Sequence, residues 1–192
     1  MKKLTVTAAS LLAAISVYAQ GTVDFNNFLN TEGGVFNEDT MSAVSMDDGI
    51  VAQLYWSSTM DGVYQAAGAP TMIGTAFGTP FPGYFGGGVV RIEGVDPAGS
   101  GIFAEVRAWE SSYGATYEEA AAAGMMNGRF AILGTSPVFM TDTGNPNAAP
   151  PDLPADLGAL IPAFSVMSVP EPSVVALGLM GAGALLLLRR RK

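Results

Sequence analysis

Apolar and polar positions alternate with a period of two in several short stretches of this chain. In residues 50–56, Ile50, Ala52, Leu54 and Trp56 fall on one side and Val51, Gln53 and Tyr55 on the other, the repeat of a sheet strand. Residues 102–109 set Ile102, Ala104, Val106 and Ala108 against Phe103, Glu105, Arg107 and Trp109. Residues 22–28 alternate Val23 and Phe25 with polar neighbours and predict a half-buried opening strand. Residues 89–92, 129–133, 137–140 and 161–167 predict further strands, with Pro137 and Pro162 at their starts, and 71–77 a weaker one. Asp61-Gly62 predicts a hairpin turn from which 63–65 returns, and 96–99 another turn. Residues 30–48, rich in Gly, Asn and Asp, and the proline-rich 145–154 read as loops. The helical signal lies at 116–123: Thr116 as cap, Glu119 in capping-box spacing, then alanines stopped by Gly124. Seven to nine short strands with one minor helix predict an all-β fold, a single sandwich of jelly-roll or immunoglobulin-like kind.

Both ends break this pattern. Met1-Lys2-Lys3, the apolar residues 4–17 and the small-residue pattern Val17-Tyr18-Ala19 predict a secretory signal peptide over 1–19, leaving Gln20 first in the mature chain. Near the other end, Val169-Pro170-Glu171-Pro172-Ser173 precedes the uncharged residues 174–188, and the basic block Arg189, Arg190, Arg191 and Lys192 follows. Fifteen helical residues cover about 22 Å, a short span of a hydrocarbon core about 30 Å thick. Ser173 suits the helix start, and the basic stems reach back toward the headgroups. Four positive charges after the span favour an inner-membrane anchor with the N-terminal part outside.

Charge then narrows the partners of residues 20–168. Sixteen Asp or Glu face three Arg and no Lys, a net charge of 3 − 16 = −13. Such a domain is repelled by nucleic-acid phosphates and by anionic lipid; cations and neutral polymers such as glycans are easier partners. The absence of Cys and His removes disulfides, the usual zinc sites, and Ser-His-Asp, Cys-His and histidine acid/base chemistry.

The tail closely resembles the PEP-CTERM sorting signal of Gram-negative bacteria. Pro170-Glu171-Pro172, the apolar 174–188 and the basic 189–192 match its motif, hydrophobic helix and basic cluster in order. The resemblance covers about 24 of 192 residues. It implies a partner, a membrane-embedded exosortase that recognises Pro170, Glu171 and Pro172, cleaves at or near them, and passes the chain on from the secretion machinery to the cell surface. Residues 20–168 also look similar to the domain of small PEP-CTERM proteins of Verrucomicrobia-like bacteria, through Val-Asp-Phe-Asn-Asn at 23–27 and Arg-Ala-Trp at 107–109. That resemblance brings no known activity.

The expected role is a non-catalytic surface or matrix protein, associated with exopolysaccharide. A carbohydrate-binding module is the alternative, with Trp56, Tyr84, Phe85 and Trp109 as stacking residues; the favoured reading of Phe81, Tyr84 and Phe85 is cover for one end of the core. A glycosidase needs only paired carboxylates, and Glu93, Glu105, Glu110, Glu118 and Glu119 are available. The reading for Glu105 and Arg107 is a solvated ion pair. No cofactor is expected; calcium is a side hypothesis, on Asp47, Asp48, Asp61 and Glu38-Asp39, without the ligand spacing of an EF-hand.

Overall fold

The computed structural model describes residues 20–31, 33–76, 78–95, 101–126 and 128–168. The signal peptide at 1–19, the turn at 96–99 and the tail at 169–192 lie outside the described residues. Within them the chain is almost entirely β. In order, the strands are β1 (Gln20–Asn26), β2 (Val35–Asn37), β3 (Ser42–Ala43), β4 (Ile50–Ser57), β5 (Gln65–Met72), β6 (Thr75–Ala76), β7 (Thr79–Pro80), β8 (Gly86–Glu93) and β9 (Ile102–Glu110). Helix α1 (Tyr117–Ala122) follows, then β10 (Ile132–Thr135), β11 (Phe139–Thr141), β12 (Ala155–Asp156) and β13 (Phe164–Ser168).

Two sheets share one core. The smaller runs β12-β1-β8, the larger β3-β2-β13-β10-β9-β4-β5, with β11 also on β9 and a separate β6-β7 ribbon. Val23 and Phe25 of β1 and Val90 and Ile92 of β8 pack in the same buried cluster as Ile50, Ala52 and Leu54 of β4 and Ile102, Ala104, Val106 and Ala108 of β9. The two-residue period explains this, since each strand sends alternate side chains inward. Two pairings are parallel, β1 with β12 and β2 with β13, so the sheets are not the purely antiparallel ones of the immunoglobulin scheme.

One end of the outer face of the larger sheet is covered rather than solvated. Val51, Trp109, Tyr113, Ala120 and Ala131 form a second buried cluster, with Tyr117, Ala123 and Leu133 against it. Helix α1 supplies the cover, and its start follows the capping chemistry: the Thr116 hydroxyl accepts from the Glu119 N–H, and Glu119 accepts from the Ala115 N–H. Gly124, at φ 63°, ends that segment in the left-handed region.

Several boundaries differ from those the pattern predicts. The 30–48 stretch is not all loop: β2 buries Val35 and Asn37 and pairs with residues more than a hundred positions away. Gly34 permits this, because a Cβ there would lie 2.0 Å from the Gly83 carbonyl oxygen. The hairpin return runs over Gln65–Met72 instead of 63–65, and Val63 is exposed. The single strand expected at 71–77 is divided between the end of β5 and β6. Residues 137–140 shift to β11, leaving Ser136-Pro137 as an interruption: there the Ser136 hydroxyl, in place of a backbone carbonyl, accepts from the Val106 N–H, and Pro137 has no N–H to donate to the ladder.

Candidate functional site

Strand β13 is the place where the β domain meets the tail. Phe164 and Val166 point into the core while Ser165 and Met167 lie on the other side. It is an interior strand: Leu133 and Ile132 of β10 pair with Met167 and Ser168, and Val35, Phe36 and Asn37 of β2 pair with Phe164, Ser165 and Val166. The turn after β2 straps its end. The Glu38 N–H donates to the Val166 carbonyl at 3.0 Å, the Ser165 hydroxyl donates to Glu38, and the Ser168 N–H donates to the Asp39 carboxylate at 2.7 Å. The Asn37 side-chain oxygen in turn holds the Asp39 N–H at 3.0 Å. A cleft of about 500 Å³ lies beside this pairing, lined in part by Gly34, Val35, Phe36, Ala43, Phe164 and Ser165. Sequence reasoning missed Asn37, Glu38 and Asp39 as a strap; their turn-forming composition was the available signal, and it reads only as loop.

The charged residues of β9 are engaged elsewhere. Arg107 bonds Glu105 at 2.8 Å and Glu118 of α1 at 2.7 Å, with its guanidinium 4.1 Å from the Tyr55 ring centroid and 5.4 Å from that of Tyr117. Burial works against the Arg107 charge, but the bond to Glu105 and the neighbouring carboxylates hold it above its ordinary value. The Tyr55 hydroxyl donates to Glu118 at 3.1 Å; burial, then this bond, push the phenol up to about 12. Glu110 receives both arms of Arg129 at 2.6 Å. The bonds to Glu110 raise the Arg129 guanidinium. The Glu105–Arg107 pair expected from sequence is therefore one edge of a network that ties α1 to the sheet.

The aromatic candidates part company. Trp109 and Phe85 are fully buried, Trp109 donating its indole N–H to the Gly114 carbonyl at 3.0 Å and Phe85 packing on Phe25 with centroids 4.9 Å apart. Neither ring offers a face to a sugar in this fold, because the core already occupies it. Tyr84 is half-buried, its ring 4.6 Å from that of Phe81, and Trp56 is half-buried against the core. Of the carboxylates named for catalysis, Glu105, Glu110, Glu118 and Glu119 each hold an arginine or an N–H; Glu93 lies at the end of β8. The calcium candidates are dispersed: Asp48 accepts from Ser45, Asp39 from Ser168, Glu38 from Ser165. No group of three Asp or Glu gathers among the described residues.

Pro170, Glu171, Pro172 and the basic residues Arg189, Arg190, Arg191 and Lys192 fall outside the described residues, and among those described no helix is long and apolar enough to cross a membrane. No curated protein and no solved structure matches the chain. Residues 168–192 match the family model described as the PEP-CTERM protein-sorting motif. The match opens at Ser168, the last residue of β13, so that the β domain runs straight into a segment matching the PEP-CTERM sorting motif.

Proposed function

We propose that this protein is a substrate of exosortase-dependent sorting: its β domain is exported behind a signal peptide at 1–19, held at the inner membrane by a helix at 174–188 with the basic residues inside, and delivered to the cell surface or extracellular matrix. The match of 168–192 to the sorting motif carries the reading. Pro170, Glu171 and Pro172 serve as recognition residues in a substrate. The domain's own role is non-catalytic and needs no cofactor, a reading supported by the engagement of Glu105, Glu110, Glu118 and Glu119 in bonds that hold the fold together. A domain of net charge −13 suits a hydrated, neutral-polymer environment better than an anionic one.

The test is the intact mass of the protein in membrane and extracellular fractions of its native host. A released species beginning at Gln20 and ending near Pro170-Glu171-Pro172 is expected, with its loss when the exosortase gene is deleted. A chain that ends at Lys192 in both fractions would overturn the sorting step.

A further inference from the structure

Residues 20–168 contain three arginines, and two are committed, Arg107 to Glu105 and Glu118 and Arg129 to Glu110. Arg91 of β8 has no ion-pair partner among the described residues. It lines a cleft of about 290 Å³ together with Trp56, Gln65 and Glu93. The cleft lies where β5, at the edge of the larger sheet, comes against β8, at the edge of the smaller one. Close packing there is evident from Gly68, where a Cβ would lie 2.8 Å from the Val90 side chain, and from the Thr71 hydroxyl, which bonds the Gly86 carbonyl. Gln65 pairs directly across from Trp56 in the β4–β5 register, and Arg91 and Glu93, two positions apart, share one face of β8.

The chemistry of these four residues is complementary. Trp56 is the one tryptophan that keeps part of its surface outside the core, and the rest of it packs against that core. Gln65, Arg91 and Glu93 are exposed, and their side-chain groups make no hydrogen bond or ion pair among the described residues. Together they offer a fork of donors, an acceptor-only carboxylate and an amide that does both. A ligand able to use all of them carries many groups that are donor and acceptor at once, together with an apolar face for the indole. Arg91 and Glu93 cancel in charge, so the cleft itself selects neither an anion nor a cation, while the net charge of −13 on residues 20–168 disfavours anions. The volume is at the small end of ligand pockets, about 300–1,000 Å³, which suits a short stretch of a longer chain.

We propose that this cleft binds a neutral saccharide, with a sugar ring stacked on Trp56 and its hydroxyls bonded by Gln65, Arg91 and Glu93. The site does not depend on where the tail is cut.

Tryptophan fluorescence of the full chain tests it, in a detergent without a sugar headgroup. The probes are oligosaccharides of α- and β-linked glucans, mannans and galactans, with uronate oligomers as anionic comparators. Trp109 is buried, so a saturable change reports on Trp56. At least one neutral oligosaccharide is expected to bind, and Arg91→Ala and Gln65→Ala each to weaken that binding about tenfold or more with unchanged melting temperature, since both residues are exposed. Silence across the neutral panel, binding that survives both substitutions, or binding confined to the uronates would each overturn the assignment.

Discussion

Arg129 grips Glu110 with one guanidinium nitrogen on each carboxylate oxygen, both at 2.6 Å, and the glutamate side chain is only 6% exposed. Glu110 also accepts from the Ser112 hydroxyl at 2.7 Å, and Arg129 lies 5.6 Å from the Tyr113 ring centroid. The arginine thus satisfies a carboxylate that the end of β9 has carried out of water. Arg129→Ala leaves that charge without its partner, and breaking a buried pair in this way costs 3–5 kcal/mol. Because the Arg129 side chain is 54% exposed, water replaces part of what is lost, and about 2 kcal/mol is expected. Arg129→Lys, which keeps the charge but not the two-pronged geometry, falls in between. Urea unfolding of the three proteins measures both; equal midpoints would mean that solvent already screens the pair.

Alkaline pH should weaken the fold through Tyr55. Its phenol titrates near 12 in the folded protein and about 10 in the unfolded chain. The unfolded chain therefore loses its proton first, and the stabilisation, complete below pH about 10, declines as pH rises toward 12. Tyr55→Phe removes this contribution and the bond to Glu118. The variant is expected to be less stable at pH 8 and to converge toward the parent between about pH 10 and 12. Parallel stability curves over that range would show that Tyr55 is not the group responsible.

The central strands were legible because their burial is one-sided over enough residues: Ile102, Ala104, Val106 and Ala108 make four consecutive core contacts on β9. The covered outer face was not. Trp109 shares its side with Glu105 and Arg107 and reads as surface, yet it is buried because Tyr113, Ala120 and Ala131 close over that end, a contact made by elements further along the chain. Strand β5 was only glimpsed, since its small and polar residues are mostly exposed at a sheet edge, where Pro70 is tolerated. The strap at Glu38 and Asp39 was invisible for another reason: a three-residue strand paired in parallel with β13 leaves no periodicity to find, and its partner is remote. The aromatic loop divided for the same cause, with Phe85 drawn onto Phe25 and Tyr84 left at the rim.

Chelation should leave the β domain unaffected. The Asp and Glu of its described loops do not gather in threes, and Asp48 is spent on both the N–H and hydroxyl of Ser45. A calcium ion at a hundred times its Kd would add about 2.7 kcal/mol and raise the melting temperature by several degrees. Scans with millimolar calcium and with excess chelator are expected to coincide. A chelator-sensitive melt would place an ion in the fold and reopen Asp47, Asp48 and Asp61 as ligands.

Ser168 belongs at once to a sheet and to a sorting motif, and one residue, Val169, separates it from Pro170. Its N–H is held by Asp39 and it is paired with Ile132, so an enzyme that takes an extended Pro170-Glu171-Pro172 must work close against the domain. Six Gly/Ser residues inserted between Ser168 and Val169 are expected to speed processing of the tail without shifting the melting temperature. Gly134→Ala should also speed it, by a different route: a Cβ there would lie 2.4 Å from the Ser165 carbonyl oxygen and 2.6 Å from Val166, loosening β13 at about 1–3 kcal/mol. Asp39→Ala removes one hydrogen bond and should have the smallest effect, under about 1 kcal/mol on stability. Pulse-chase measurement of tail processing in the native host ranks the variants. If the spacer leaves the rate unchanged while Gly134→Ala raises it, the constraint lies in the stability of the whole domain; if neither moves it, the end of β13 already lies open to the enzyme and Asp39 serves only the fold.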